Sequence, residues 1–309
     1  MAEAAIHHRD IPVSQRMDGQ PWRVRLTEIV GSQSGPTTAF VAGVFGDKPL
    51  GCLALHELIR RLASLDVRGT VLVVPAANPP ALEIGTRVSP DHLYLNRRFP
   101  GAPSGFLTDQ IAAGIMGEIG TRADCIIDLH SGTPTMGLWY TYDYGNLEFS
   151  SSFGYLPLIV DRAFEGQLSV AATRGGANSC LPEFGGGPLN DPTVGVEGCL
   201  NVLRYRGQIS GALTGPKRLP LIRDVQSFSP SFAGILVGRV GAGDAGKAVE
   251  PGVIGRVVSA ATGETLEQFM VENRPARLLL ARTTPTTVAP GDFAYMVGYP
   301  DGEVALPSR

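Results

Sequence analysis

His130 closes an apolar run that starts at Asp124, and it is the residue of this chain best suited to proton transfer or metal binding. Imidazole titrates near neutral pH and is a common metal ligand, so the position can serve either chemistry. Arg87 and Arg97 lie in a stretch rich in turn residues. A guanidinium is a rigid fork of donors that pairs two-pronged with a carboxylate. Lys48 is a compact cation. In a semi-closed pocket it can hold an oxyanion; with its pKa lowered by desolvation and nearby arginines it can act as base or nucleophile. Glu183 precedes the glycines 185 to 187, which permit close backbone approach to a ligand. Asp47 can pair with Lys48, or join His130 and Glu183 in an O/N/O set that holds a metal weakly. Trp139, Tyr140, Tyr142 and Tyr144 would wall a pocket for an apolar or aromatic acyl group. Plainer readings stand beside these: a structural histidine, a solvent-facing lysine, arginines pinning a loop, a carboxylate in a surface turn, and aromatics packed in a core or dimer contact.

The elements that must position these residues show in the hydrophobic pattern. Between residues 22 and about 206, apolar runs of strand length alternate with amphipathic segments of helix length, the pattern of an α/β domain with a mostly parallel sheet. Strands are expected over 23–30, 38–44 and 70–75, and helices over 53–62 and 107–119. The run from Asp124 to Leu129 reads as a buried strand delivering His130 at its C-terminal end, where ligands gather in open α/β sheets. That places Phe45, Lys48 and His130 on one rim. The long Pro- and Gly-rich connection from 77 to 106 reads as functional. Beyond Gly207, turn residues recur between short β-rich runs, which predicts a small antiparallel barrel or sandwich over 228–301. The expected division is an N-terminal extension (1–20), an α/β domain (21–215) and that small β domain, with a frayed tail after Pro300.

Composition excludes several classes. Hydrophobic residues make up 43% and charged residues 18% of the 309 positions, as in ordinary globular proteins. A net charge of -3 with scattered arginines gives no case for nucleic acid. No apolar run reaches membrane-helix length and the charged N-terminus does not resemble a signal peptide, so a cytoplasmic protein is expected. Cys52, Cys125, Cys180 and Cys199 show no paired spacing, which favours reduced, partly buried thiols over a disulfide framework or structural zinc. A homo-oligomer is compatible with the sequence.

Four blocks together resemble the aspartoacylase and succinylglutamate desuccinylase family of zinc carboxypeptidase-like deacylases. They are the loop 43–51, the stretch from Asn78 through Arg87 to Gly101, the strand end Asp128-Leu129-His130-Ser131-Gly132, and Pro182-Glu183-Phe184 with its glycines. Order and spacing agree, and the small β domain matches as well. The resemblance implies a zinc-carboxypeptidase-like α/β fold. It implies that Arg87, Asn96 and Arg97 hold a substrate carboxylate and polarise the scissile carbonyl, and that Glu183 is the general base. It places His130 at the third zinc ligand. The other two ligand positions, His and Glu in the family loop, are here Phe45 and Lys48. A phenyl ring has no lone pair for a metal and an ammonium has donors only.

The expected activity is therefore an enzyme acting on an acyl C–N bond of a small, carboxylate-bearing, amino-acid-like substrate without the usual zinc. Lys48, Glu183 and His130 are the catalytic candidates, and Arg87, Asn96, Arg97, Asp47 and Tyr140 the substrate-binding ones. Acyl transfer, cyclisation or elimination suits such a pocket better than hydrolysis, because the metal is the strongest means of activating water. A metal-dependent deacylase with rearranged ligands and an inactive small-molecule-binding relative remain as alternatives.

Overall fold

The computed structural model describes residues 4–308. The chain opens with three strands, β1 (Ala5–Gln15), β2 (Pro21–Val30) and β3 (Gln33–Ala42), followed by α1 (Leu50–Leu62), β4 (Arg68–Val74) and the short α2 (Pro79–Ile84). A single 3-10 turn at Leu95–Arg97 precedes α3 (Leu107–Ile119), β5 (Cys125–Ser131), β6 (Met136–Asp143), α4 (Leu147–Ser151), β7 (Leu158–Ile159), α5 (Leu168–Arg174), β8 (Asn178–Gly185) and α6 (Thr193–Tyr205). The remainder is mostly β: β9 (Arg218–Phe228), β10 (Gly234–Gly238), β11 (Ala248–Val249), β12 (Gly252–Val258), β13 (Thr265–Val271), β14 (Ala276–Arg282), β15 (Thr286–Val288) and β16 (Tyr295–Ala305).

One sheet runs β1-β2-β4-β3-β5-β8-β6-β7-β9-β16-β14-β11, and a second runs β13-β12-β10-β15. The central strand β5 is buried at every position, as expected of a parallel strand covered on both faces. Its alternation feeds two cores. Ile127 packs with Phe40, Leu55, Leu58 and Phe184 on the α1 and α6 side, while Ile126 packs with Val41, Leu72, Ile111 and Ile115 on the α3 side. Helix α1 earns its place through Leu50, Ala54, Leu55, Leu58 and Leu62 at helical spacing, with Arg60 and Arg61 in its last turn facing the negative end of the helix dipole.

Several expectations need correction. The sheet is mixed and extends beyond the domain expected at 21–215, within which β3–β4, β3–β5, β5–β8 and β6–β7 are parallel and β2–β4 and β6–β8 antiparallel. Ladders β3–β4, β3–β5, β5–β8, β6–β7 and β7–β9 are parallel, but β1–β2, β2–β4, β6–β8, β9–β16, β14–β16, β11–β14 and β6–β14 are antiparallel. The segment 1–20 is no appendage: residues 5–15 form edge strand β1, with Ile11 and Val13 buried in the core. The tail is paired as far as Ala305, opposite Arg218 on β9. Met1–Glu3 and Arg309 lie outside the described residues. The region 228–301 has its own core around Leu236, Ile254, Phe269 and Tyr295, yet β14 and β16 are hydrogen-bonded into the large sheet. All four cysteines are free thiols. Burial pushes Cys52 and Cys125 up to about 11, which favours the thiol over the thiolate at neutral pH.

Candidate active site

Three adjacent strands set the site. Across the parallel β5–β8 ladder His130 pairs with Glu183, and across the antiparallel β6–β8 ladder Glu183 pairs with Tyr140. Residues directly opposite in a ladder share a face, so imidazole, carboxylate and phenol form a row. Lys48 comes from the loop between β3 and α1. Asn78, completely buried, holds that loop: its amide donates to the Val44 carbonyl at 3.2 Å, and its Oδ1 accepts from Ala81 N, capping α2, and from Ser89 Oγ at 3.0 Å. The loop passes so close to α2 that a Cβ on Gly46 would lie 2.0 Å from the Ala81 carbonyl oxygen.

Lys48 and Glu183 form a buried ion pair. The ammonium donates to Glu183 Oε2 at 2.9 Å and Oε1 at 3.2 Å, with the two residues 5% and 8% exposed. Burial pulls the Lys48 pKa below its ordinary value, and the Glu183 charge opposes that shift. His130 Nε2 lies 2.8 Å from Asp128 Oδ1, and Nδ1 lies 3.9 Å from Glu183 Oε1. The Phe45 ring stands edge-on to the imidazole at 5.3 Å between centroids, and Lys48 Nζ lies 5.3 Å from its centre.

These groups face a cavity of about 180 Å³ that includes Lys48, Arg87, Asn96, Arg97, His130, Tyr140 and Glu183 among its lining residues. A larger outer recess of about 510 Å³ adjoins it and shares Arg87, Met136 and Phe293. Arg87 stacks on Phe45 at 4.3 Å and Arg97 on Phe164 at 5.1 Å. Arg97 donates to the Asn96 carbonyl, while its neighbour Arg98 is spent on Asp109 at 2.6 and 3.0 Å. Burial, then the Arg87 charge, lowers the Arg97 pKa. Burial foremost raises the Tyr140 phenol well above its ordinary range, so it is a neutral hydroxyl.

The structure brings Lys48, Arg87, Asn96, Arg97, His130, Tyr140 and Glu183 to one cavity. Asn96 is partly committed elsewhere: its Oδ1 accepts from Leu168 N at 2.9 Å and its amide lies 3.4 Å from His130 Nε2. Asp47 lines the outer recess instead, and the Asp47–His130–Glu183 ligand set is not assembled. Gly186 does not make room for a ligand: its Cβ would lie 2.2 Å from the Met136 carbonyl oxygen, so it seats the chain against the 132–136 turn, while a Cβ on Gly185 would meet the Leu189 carbonyl oxygen at 2.6 Å and one on Gly187 the Ala242 side chain at 2.8 Å. Glu197 is structural, tying α6 to α1 through Arg61 at 2.6 Å. Sequence reading missed Arg162, Phe164 and Gln167 from the β7–α5 loop, and Leu280, Phe293 and Met296 from the C-terminal strands and the β15–β16 connection. Nothing in their local spacing marks them; the β6–β14 ladder, together with β16 pairing β9 beside β7, carries the C-terminal residues to the cavity.

The residues present do not match the zinc site that the resemblance implies. Of the three corresponding positions only His130 offers a lone pair. Among the described residues no group of three His, Cys, Asp or Glu side chains could hold a metal ion.

A model of the succinylglutamate desuccinylase/aspartoacylase catalytic domain matches residues 34–193. The N-alpha-acetyl-L-2,4-diaminobutyric acid deacetylase of Halomonas elongata is 31% identical over 307 residues, covering 91% of this chain and 87% of that protein. A succinylglutamate desuccinylase from Silicibacter sp. TM1040 has a TM-score of 0.83 at 25% identity, over 97% of this chain and 96% of that one. The product-bound ectoine utilization protein EutE (DoeB) of Ruegeria pomeroyi has a TM-score of 0.82 at 24% identity, over 97% and 96%, and is similar in fold.

Proposed function

The chain belongs to the succinylglutamate desuccinylase/aspartoacylase family, and from that premise we propose that it is a deacylase-type enzyme acting on the acyl C–N bond of a small N-acyl amino acid, with Lys48 in place of the metal. The observation that carries this reading is the Lys48 ammonium seated against both oxygens of Glu183 at a cavity wall. An ammonium has three N–H donors, and Glu183 uses two. The third is available to an oxyanion forming on the acyl group, a role cationic side chains fill when preorganised in a water-poor site.

Arg87, Arg97 and Arg162 line the same cavity, and among the described residues none is paired with a carboxylate. An anionic substrate group supplies the missing partner, and a guanidinium fork fixes its orientation. Proton transfer falls to Glu183 or His130. Without a metal to activate water, a nucleophile within the substrate or an acyl acceptor is favoured over hydrolysis, giving acyl transfer, cyclisation or elimination.

A panel of N-acetyl and N-succinyl amino acids, including N-acetylated diamino acids, tests the reading by amine release or acyl transfer. Turnover is expected, with Lys48→Met lowering kcat about 10²–10³-fold. Binding of panel members without turnover would instead support a binding protein.

A further inference from the structure

We propose that Asp128 and His130 are the proton-transfer pair of this site, with Glu183 serving as the anchor of Lys48; this deepens the function proposed above and rests on it. Asp128 is completely buried and lies two residues before His130 on β5, so both side chains project to one face. His130 Nε2 lies 2.8 Å from Asp128 Oδ1 and 3.4 Å from the Asn96 amide nitrogen, and we place the imidazole proton on Nε2, donated to the Asp128 oxygen. Nδ1 keeps its lone pair on the cavity side, 3.9 Å from Glu183 Oε1 and beyond hydrogen-bonding reach. Asp128 Oδ2 is buried without a hydrogen-bond partner. Both oxygens of Glu183 are engaged by Lys48. Nδ1 is the acceptor of the row with no ammonium hydrogen-bonded to it.

The step balances as follows. An O–H or N–H nucleophile, in the substrate or an acyl acceptor, adds to the acyl carbon while its proton passes to Nδ1. The carbonyl π pair moves to oxygen, facing the third N–H of Lys48. On collapse the C=O re-forms, the C–N bond breaks, and the Nδ1 proton goes to the departing nitrogen, releasing an amine. His130 is the catalytic residue and Asp128 a positioning residue.

Nitrogen-15 NMR of histidine-labelled protein at neutral pH tests the proton placement without any substrate. The expected His130 signature is a protonated Nε2 and an unprotonated Nδ1, lost or reversed in Asp128→Asn. A protonated Nδ1 in the unaltered protein overturns the proposal, whatever the panel shows. On a panel substrate, Asp128→Asn is expected to lower kcat about 10³–10⁴-fold with KM within threefold, by comparison with tautomer-fixing carboxylates elsewhere; unchanged kcat overturns the proposal. Should Asp128→Asn not fold, His130→Gln is expected to cost at least tenfold more kcat than Glu183→Gln, and the opposite order restores Glu183 as the base. No turnover alongside the expected NMR signature refutes the proposed function and leaves the proton placement standing.

Discussion

Lys48 was readable as an oddity in the sequence, and the family resemblance set it near His130 and Glu183; its local residues alone name no partner. A cation in a loop is ordinarily solvated, and 135 residues separate it from Glu183. Only the fold shows that the two are buried together. Removing one member of a buried pair leaves an uncompensated charge, so Lys48→Ala is expected to cost about 3 kcal/mol in urea denaturation. The double variant Lys48→Met, Glu183→Leu should recover most of that loss, and a double-mutant cycle measures the coupling. The direction of the Lys48 shift also bears on pH. Burial favours the neutral amine, so its positive charge is lost at a lower pH than for an exposed lysine. Activity is expected to fall on the alkaline side below the ordinary 10.5 of lysine; a profile flat to that value would contradict an electrostatic role.

At the scale of elements, α3 was legible from its apolar spacing and β5 from the short apolar run ending at Leu129, because both signals are local. Strand β1 was not. His7, His8, Arg9 and Asp10 read as a solvated extension, and charged residues do suit an edge strand exposed on one side. What makes it a strand is non-local: its ladder to β2, and ion pairs to β2 and α3. Glu28 accepts from Arg122 at 2.8 and 3.0 Å and from Arg9 at 3.2 Å, and Arg9 also pairs with Glu118. Arg122, then Arg9, holds the Glu28 carboxyl down at about 2 from an ordinary 4.5. A depressed carboxylate contributes stability above its unfolded pKa, and that contribution is lost as pH falls from about 4.5 to about 2. Because Arg9 and Arg122 are more than a third exposed, the contribution is discounted to about 1 kcal/mol. Glu28→Gln is expected to remove about that much at pH 7 and little at pH 2, measured by denaturant melts at both values.

The cavity belongs to the whole molecule. Its polar row comes from β5, β6 and β8, while Leu280, Phe293 and Met296 close it from the C-terminal region through the β6–β14 and β9–β16 ladders. A small β domain was expected from its turns, but its hydrogen bonding into the main sheet depends on strand pairing over more than 100 residues, which no local pattern encodes. Phe293 is half exposed and lines both the cavity and the outer recess, so a substrate seated across the two would meet its ring. Phe293→Ala is expected to raise KM three- to tenfold with kcat within twofold; a kcat loss with constant KM would assign it to the chemical step. The proposed replacement of a dication by Lys48 is tested most directly by elemental analysis of protein purified without added metal, with activity assayed before and after chelator treatment. The expected result is substoichiometric zinc and activity unchanged by the chelator. Stoichiometric zinc, lost together with activity, would contradict it.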